Sequence, residues 1–197
     1  MIIKLKANNI VTHSAKSLDL RSKADGGLIY NGSRNPLIST ETAEIIDIDA
    51  PDIFKSNWYT YTEEDGWQLT PCGEAGIAEY LEQKKTEKTA ELANVRYEKE
   101  TGGIVINGAD VKTDRESQSM ITGAYNLIQI DPTRIIDWKA SNGWIQLDAP
   151  AITAIATAVS EHVQTCFRRE KEISTLIEAA ETIDDLNAID LESGWPE

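Results

Sequence analysis

The sequence predicts an α+β protein: a small antiparallel β domain over residues 1–71, a long connector helix over 72–101, and a C-terminal domain of helices with short hairpins over 102–197. Three observations predict it. Before Pro71 the chain is rich in β-branched and aromatic residues punctuated by Gly, Asn and Pro turn signals. From residue 75 to 101 it is dominated by Ala, Glu, Lys, Gln and Leu, strong helix formers that stop at Gly102-Gly103. Beyond that, apolar residues recur mainly at helical spacing, interrupted by hairpin signals.

Taken in order, residues 2–5 suit a short strand. Turn signals at Asp25-Gly26-Gly27, Asn31-Gly32-Ser33 and Asn35-Pro36 enclose Leu28, Ile29 and Tyr30, which is hairpin material. A strand over residues 44–48 runs into Asp47, Asp49 and Asp52. These acids do not make a calcium loop, because Ile46 and Ile48 interleave with them as on a half-buried strand, with no turn glycine and no closing glutamate. Asn57-Trp58-Tyr59-Thr60-Tyr61 and Gly66-Trp67-Gln68-Leu69 read as paired strands joined by the acidic loop at 62–65. On the connector, Ile77, Leu81, Leu92 and Val95 fall near heptad spacing, but Lys85 and Lys88 interrupt the seam. A solvated connector and a short coiled coil in a homo-oligomer both remain open.

Asn107-Gly108 between β-branched segments predicts a tight hairpin over 104–111. Thr113 with Glu116 three residues later reads as a capping box, starting a helix near Asp114 that runs to about residue 128, before Asp131-Pro132. Trp138 and residues 142–147 suggest a second hairpin. Asp148-Ala149-Pro150 opens a long amphipathic helix whose buried face is read as Ile152, Ile155, Val159, Val163, Phe167, Ile173 and Ile177. A last short helix over 183–189 packs Ile183, Leu186 and Ile189 back on the body.

Composition excludes several functions. The net charge of -14 argues against nucleic acid, since that binding depends on Lys and Arg neutralising phosphates. Charge is also uneven: residues 1–23 carry net +4, whereas residues 170–197 carry nine carboxylates against Lys171. That acidic end is either a solvated tail or a surface that steers docking onto a basic partner or a neighbouring subunit. No apolar run approaches the roughly 18 residues of a membrane span, and the N-terminus does not read as a secretory signal, so synthesis in a cytoplasm is expected. Cys72, Cys166, His13 and His162 do not supply a closely spaced zinc set, and no cofactor motif is present. Cys166 reads as a small core residue. His162 reads as a surface histidine, and neither histidine has a paired acid-base group nearby in sequence, so no catalytic residue is assigned.

The segment from Lys84 to Ile189 resembles a domain of unknown function recurrent at the C-terminal end of bacteriophage tail proteins. The resemblance is carried by Arg96-Tyr97-Glu98, then residues 102–108, then Val111-Lys112-Thr113-Asp114-Arg115-Glu116-Ser117. It continues through the Trp144 segment, the helix with Phe167 and Arg168, and Ile177-Glu178-Ala179-Ala180. Residues 57–59 with Gly66-Trp67 are similar to the small β domain that often precedes it. This resemblance implies a non-enzymatic tail component located in the virion, a minor structural or fibre-attachment protein that binds other tail or tail-fibre proteins. The alternative is a tail-fibre assembly chaperone absent from the finished particle. No established site residues come with the family. Physics nominates Trp58, Tyr59, Tyr61 and Trp67 as aromatic anchors for a partner, the competing reading being that they form the sheet's own core. Trp195 is either docked in its own domain or an anchor too.

Overall fold

Ile2–Leu5 forms β1 and turns back through Asn9, at φ 58°, into β2, Ile10–Ser14. The structure, a computed structural model, describes residues 1–31, 33–140 and 143–196. Ala43–Ile46 (β6) adds to the other edge of β1, while Tyr59–Thr62 (β7) and Gly66–Leu69 (β8) extend the sheet beyond β2, giving the order β6-β1-β2-β7-β8 with antiparallel neighbours. Successive strand side chains point to opposite faces, so the complete burial of both Ile2 and Ile3 means that β1 is covered on both sides. On one side Ile3 packs with Leu28, Ala43 and Leu20, joining this sheet to a smaller one made of β3 (Asp19–Leu20), β4 (Leu28–Tyr30) and β5 (Ser33–Asn35). Gly32, which falls between β4 and β5 in sequence, lies outside the described residues.

β2 and β3 are not anticipated by the sequence patterns. In β2 both Val11 and Thr12 are buried, which hides the alternation that marks a strand. His13 on β2 is half-buried and meets the Tyr30 ring edge-on at 5.4 Å. Burial holds its imidazole below the usual histidine pKa. A base whose folded pKa is depressed adds stability above its unfolded value of about 6.5. That contribution is lost as pH falls through this value towards the folded one. Protection of the β1 and β2 amides from hydrogen exchange, corrected for the intrinsic pH dependence of exchange, should therefore fall on mild acidification, and His13→Gln should flatten the response.

The first helix, α1 (Pro71–Thr101), begins before the helix-forming run at residue 75. Thr70 explains the earlier start: its hydroxyl accepts from the Gly73 N–H at 3.0 Å, and Pro71 occupies the first turn, where its missing N–H costs nothing. The chain divides into two compact units, Met1–Glu82 and Gln83–Glu197, and the division falls inside α1.

In the second unit, Ile104–Ile106 (β9) and Ala109–Val111 (β10) form the expected hairpin. Asn107 and Gly108 carry φ of 51° and 80°, the left-handed pair that a two-residue turn of this hand requires. Next come α2 (Arg115–Ile130), the hairpin of β11 (Ile136–Ala140) and β12 (Gly143–Leu147), α3 (Ala149–Ala179) and α4 (Ile183–Asn187). The residues linking β11 to β12, Ser141 and Asn142, lie outside the described residues. An α+β protein with an N-terminal antiparallel region, a long helix and a C-terminal helical part with short hairpins is thus what the sequence predicts and what the chain forms.

Asp148 caps α3, accepting from the Ala151 N–H at 3.0 Å, and Thr182 caps α4 in a reciprocal box with Asp185. Three expectations are corrected. Asp114, not Thr113, caps α2, accepting from the Ser117 N–H at 2.9 Å, because Thr113 is fully buried and its hydroxyl is engaged elsewhere. The buried line of α3 is Ile152, Val159, His162, Cys166, Ile173 and Ile177, so His162 is a core residue and not a surface one. Phe167 is 40% exposed, one position round the helix from that line. Cys166 is the small core residue expected.

Candidate partner-binding surface

The residues that organise the second unit are polar, and they converge on Glu100 near the end of α1. Its side chain is fully buried, which for an ionised carboxylate costs several kcal/mol unless its oxygens are filled. They are filled. Arg96, one turn earlier, pairs with it directly, and Arg115 forks onto it with Nη1 3.1 Å from Oε1 and Nη2 3.2 Å from Oε2. The Gln118 amide donates to Oε1 at 3.1 Å. Such bidentate, charge-assisted bonds are the strong and directional kind. Arg96 reaches onward to Glu170 at 3.3 Å and lies over the Phe167 ring at 4.7 Å, so Phe167 serves as a platform for a cation instead of filling the core.

Thr113 closes the same junction. Its hydroxyl donates to the Glu100 carbonyl at 2.6 Å and accepts from the Gly103 N–H at 2.9 Å, while Gln118 donates to the Thr113 carbonyl at 2.7 Å. The β9–β10 hairpin is thereby pinned at its base between α1 and α2. Sequence reasoning finds Thr113 and Glu116 as a local pair, but the working partner, Glu100, is thirteen residues upstream and carries no local signal.

His162 and Cys166 lie one turn apart on α3, an arrangement that superficially resembles a nucleophile and its base. Its chemistry is different. His162 Nε2 sits 3.1 Å from the Lys99 carbonyl, an acceptor, so this nitrogen carries the proton and cannot receive one from the thiol 3.8 Å away. Burial pushes the Cys166 thiol pKa up, and the Glu100 charge adds to that, outweighing the opposing pull of Arg96. A reactive cysteine needs the opposite environment. Among the described residues no cluster of three or more His, Cys, Asp or Glu is placed to hold a metal ion, and no helix is long and apolar enough to cross a membrane.

The aromatic residues nominated as anchors divide in an informative way. Trp58 and Tyr59 are buried, and Tyr61 and Trp67 are half-buried. Tyr59 meets Trp67 edge-on at 5.8 Å and stacks on Phe54 at 6.2 Å, and its hydroxyl donates to the Ile53 carbonyl at 2.9 Å. Tyr61 and Trp67 are cross-strand partners at 5.2 Å. This quartet therefore contributes mainly to the first unit's own packing, the competing reading that the sequence leaves open for it. Trp195 is half-buried, with its indole N–H donating to the Leu191 carbonyl at 2.8 Å, so it is docked on its own domain.

The most exposed aromatic among the described residues is Trp144, at 73%. The β11–β12 hairpin places it there. Ile136, Trp138 and Leu147 share one face and pack against Ala124, Ile128 and Ile152 of α2 and α3. Alternation puts Asp137, Lys139, Trp144 and Gln146 on the other face, with Lys139 opposite Trp144 and Asp137 opposite Gln146. A two-stranded hairpin is marginal alone, so its packing against the helices is what holds Trp144 outward on a fixed support. Sequence reasoning identifies the strand but does not select Trp144. The signal was available in the alternation of Trp144 and Gln146 with Ile145 and Leu147.

Geometry thus defines a class: a two-unit α+β protein whose second unit is organised around a saturated buried carboxylate and presents a rigid aromatic hairpin. The model of a domain of unknown function, DUF4376, matches residues 83–192, more than half of the chain, and the chain belongs to that family. No curated protein and no solved structure matches it.

Proposed function

We propose that the chain is a non-enzymatic component of a bacteriophage tail, made in the host cytoplasm and built into the virion, where it binds other tail or tail-fibre proteins. The contact surface in this reading is the outer face of the β11–β12 hairpin around Trp144. One observation carries the surface assignment: a tryptophan is held 73% exposed on a strand whose opposite face is packed. Large aromatic side chains with few rotatable bonds dominate interface energetics, and leaving one in water is unfavourable unless a partner covers it. The tail assignment is supported by the resemblance of residues 84–189 to the domain that closes phage tail proteins. The non-enzymatic reading is supported by the Cys166–His162 environment, which suppresses the nucleophile.

Trp144→Ala tests the surface. It removes no packed contact, so the unfolding free energy should stay within about 0.5 kcal/mol of the parent. A central aromatic anchor contributes about 2 kcal/mol or more, so incorporation into particles should fall by roughly thirtyfold. Normal incorporation of a folded Trp144→Ala chain would remove this hairpin from the interface.

A further inference from the structure

Among the described residues the β11–β12 hairpin is a two-stranded sheet, so β11 keeps one edge with no described strand beside it. Unpaired edges recruit other strands unless they are covered or charged against it. The exposed residues of β11 carry charge, but in a particular order: Ile136-Asp137-Trp138-Lys139-Ala140. When two copies of this strand meet antiparallel about Trp138, Asp137 of each lies opposite Lys139 of the other. Both ion pairs fall on the exposed face, because directly opposed residues share a face. Within one chain neither Asp137 nor Lys139 has an ion-pair partner among the described residues. Asp137 only accepts from its cross-strand neighbour Gln146, at 3.1 Å. The β12 edge has no such complementarity, since Gly143-Trp144-Ile145-Gln146-Leu147 is uncharged.

We propose that a second copy of this chain docks on β11, pairing β11 with β11 antiparallel and centred on Trp138. The two hairpins then form one four-stranded sheet about a two-fold axis, an isologous contact in which each surface meets itself. Its outer face carries the rows Gln146, Asp137, then Lys139 and Trp144 of the second copy. The alternative placement of a homo-oligomer on α1 is less favoured, because Leu92 and Val95, half of its apolar seam, are already buried in the second unit. The proposal does not depend on the tail assignment, since the dimer needs no other tail protein.

Sedimentation equilibrium of the purified full chain tests it by charge reversal. The parent should be a dimer. Asp137→Lys places lysine opposite lysine in both pairs, and Lys139→Asp places aspartate opposite aspartate, so each variant alone should dimerise at least about tenfold more weakly. An equimolar mixture of the two variants restores both pairs and should form heterodimers. The double variant D137K/K139D should regain the homodimer. A monomeric parent, or single variants that dimerise as the parent does, would overturn the proposal. So would failure of mixing and of the double variant to restore association, given the native far-ultraviolet dichroism expected of exposed substitutions.

Discussion

Glu100→Ala should lower the unfolding free energy of the chain's second unit by about 3–5 kcal/mol, the cost typical of removing one partner of a buried ion pair. The loss goes beyond a few hydrogen bonds. Arg96, whose side chain is 14% exposed, would keep its charge but lose its nearest counterion, and Glu170 at 3.3 Å compensates only in part. Arg115, at 55% exposure, can swing into water, so most of the damage falls on Arg96. This gives a second arm to the experiment. Combining Glu100→Leu with Arg96→Met removes both buried charges and should recover much of the loss, because apolar replacements of a whole pair are often neutral or stabilising. Urea unfolding followed by a second-unit probe measures all three chains. An E100A chain within about 1 kcal/mol of the parent would mean that Glu100 is not the ionised hub described here.

Gly76→Ala should destabilise the first unit by about 3 kcal/mol, towards the upper end of overpacking effects. Glycine inside a helix costs about 1 kcal/mol relative to alanine, so on helix propensity alone the substitution should stabilise α1. The structure reverses that sign. A Cβ at Gly76 would run into the Trp58 indole, and one at Gly73 would run into the Trp58 carbonyl, which is backbone and cannot rotate away. The first turns of α1 thus lie directly on the residue that Thr70 also holds, its N–H donating to the Trp58 carbonyl at 2.8 Å. Gly73→Ala should be at least as harmful. Native-state hydrogen exchange of the β7 and β8 amides, which lie in the first unit, checks both, and an increase in stability for either would show that α1 does not pack on Trp58 this closely.

Much of the fold is legible because its signals are local. Asn107-Gly108 specifies a hairpin through two left-handed residues, Asp148-Ala149-Pro150 specifies a helix start, and the long Ala-Glu-Lys-Gln-Leu run specifies α1. What is not legible depends on distant partners. Thr113 has the sequence of a cap, but a tertiary bond to Glu100 claims its hydroxyl and passes the capping role to Asp114. Apolar spacing on α3 places Val163 and Phe167 on the stripe, whereas the buried line runs through His162 and Cys166. A histidine whose N–H has a carbonyl to meet is buried more easily than hydropathy suggests, and Phe167 is drawn outward by Arg96. The aromatic cluster at residues 58–67 attracts attention as a site because of its composition, yet an antiparallel sheet uses such residues for its own cross-strand packing. Trp144 is less conspicuous: its alternation with Ile145 and Leu147 carries the signal, and the packing of Ile136, Trp138 and Leu147 on α2 and α3 shows which face is outward.

The proposed role of this chain is that of a tail component acting through protein contacts. Quantitative mass spectrometry of purified particles, counting the chain against the major tail-tube protein and comparing with infected-cell lysate, tests it most directly. A fixed copy number per particle is the predicted result. Abundance in the lysate with absence from the particles would contradict it and point instead to a fibre-assembly chaperone.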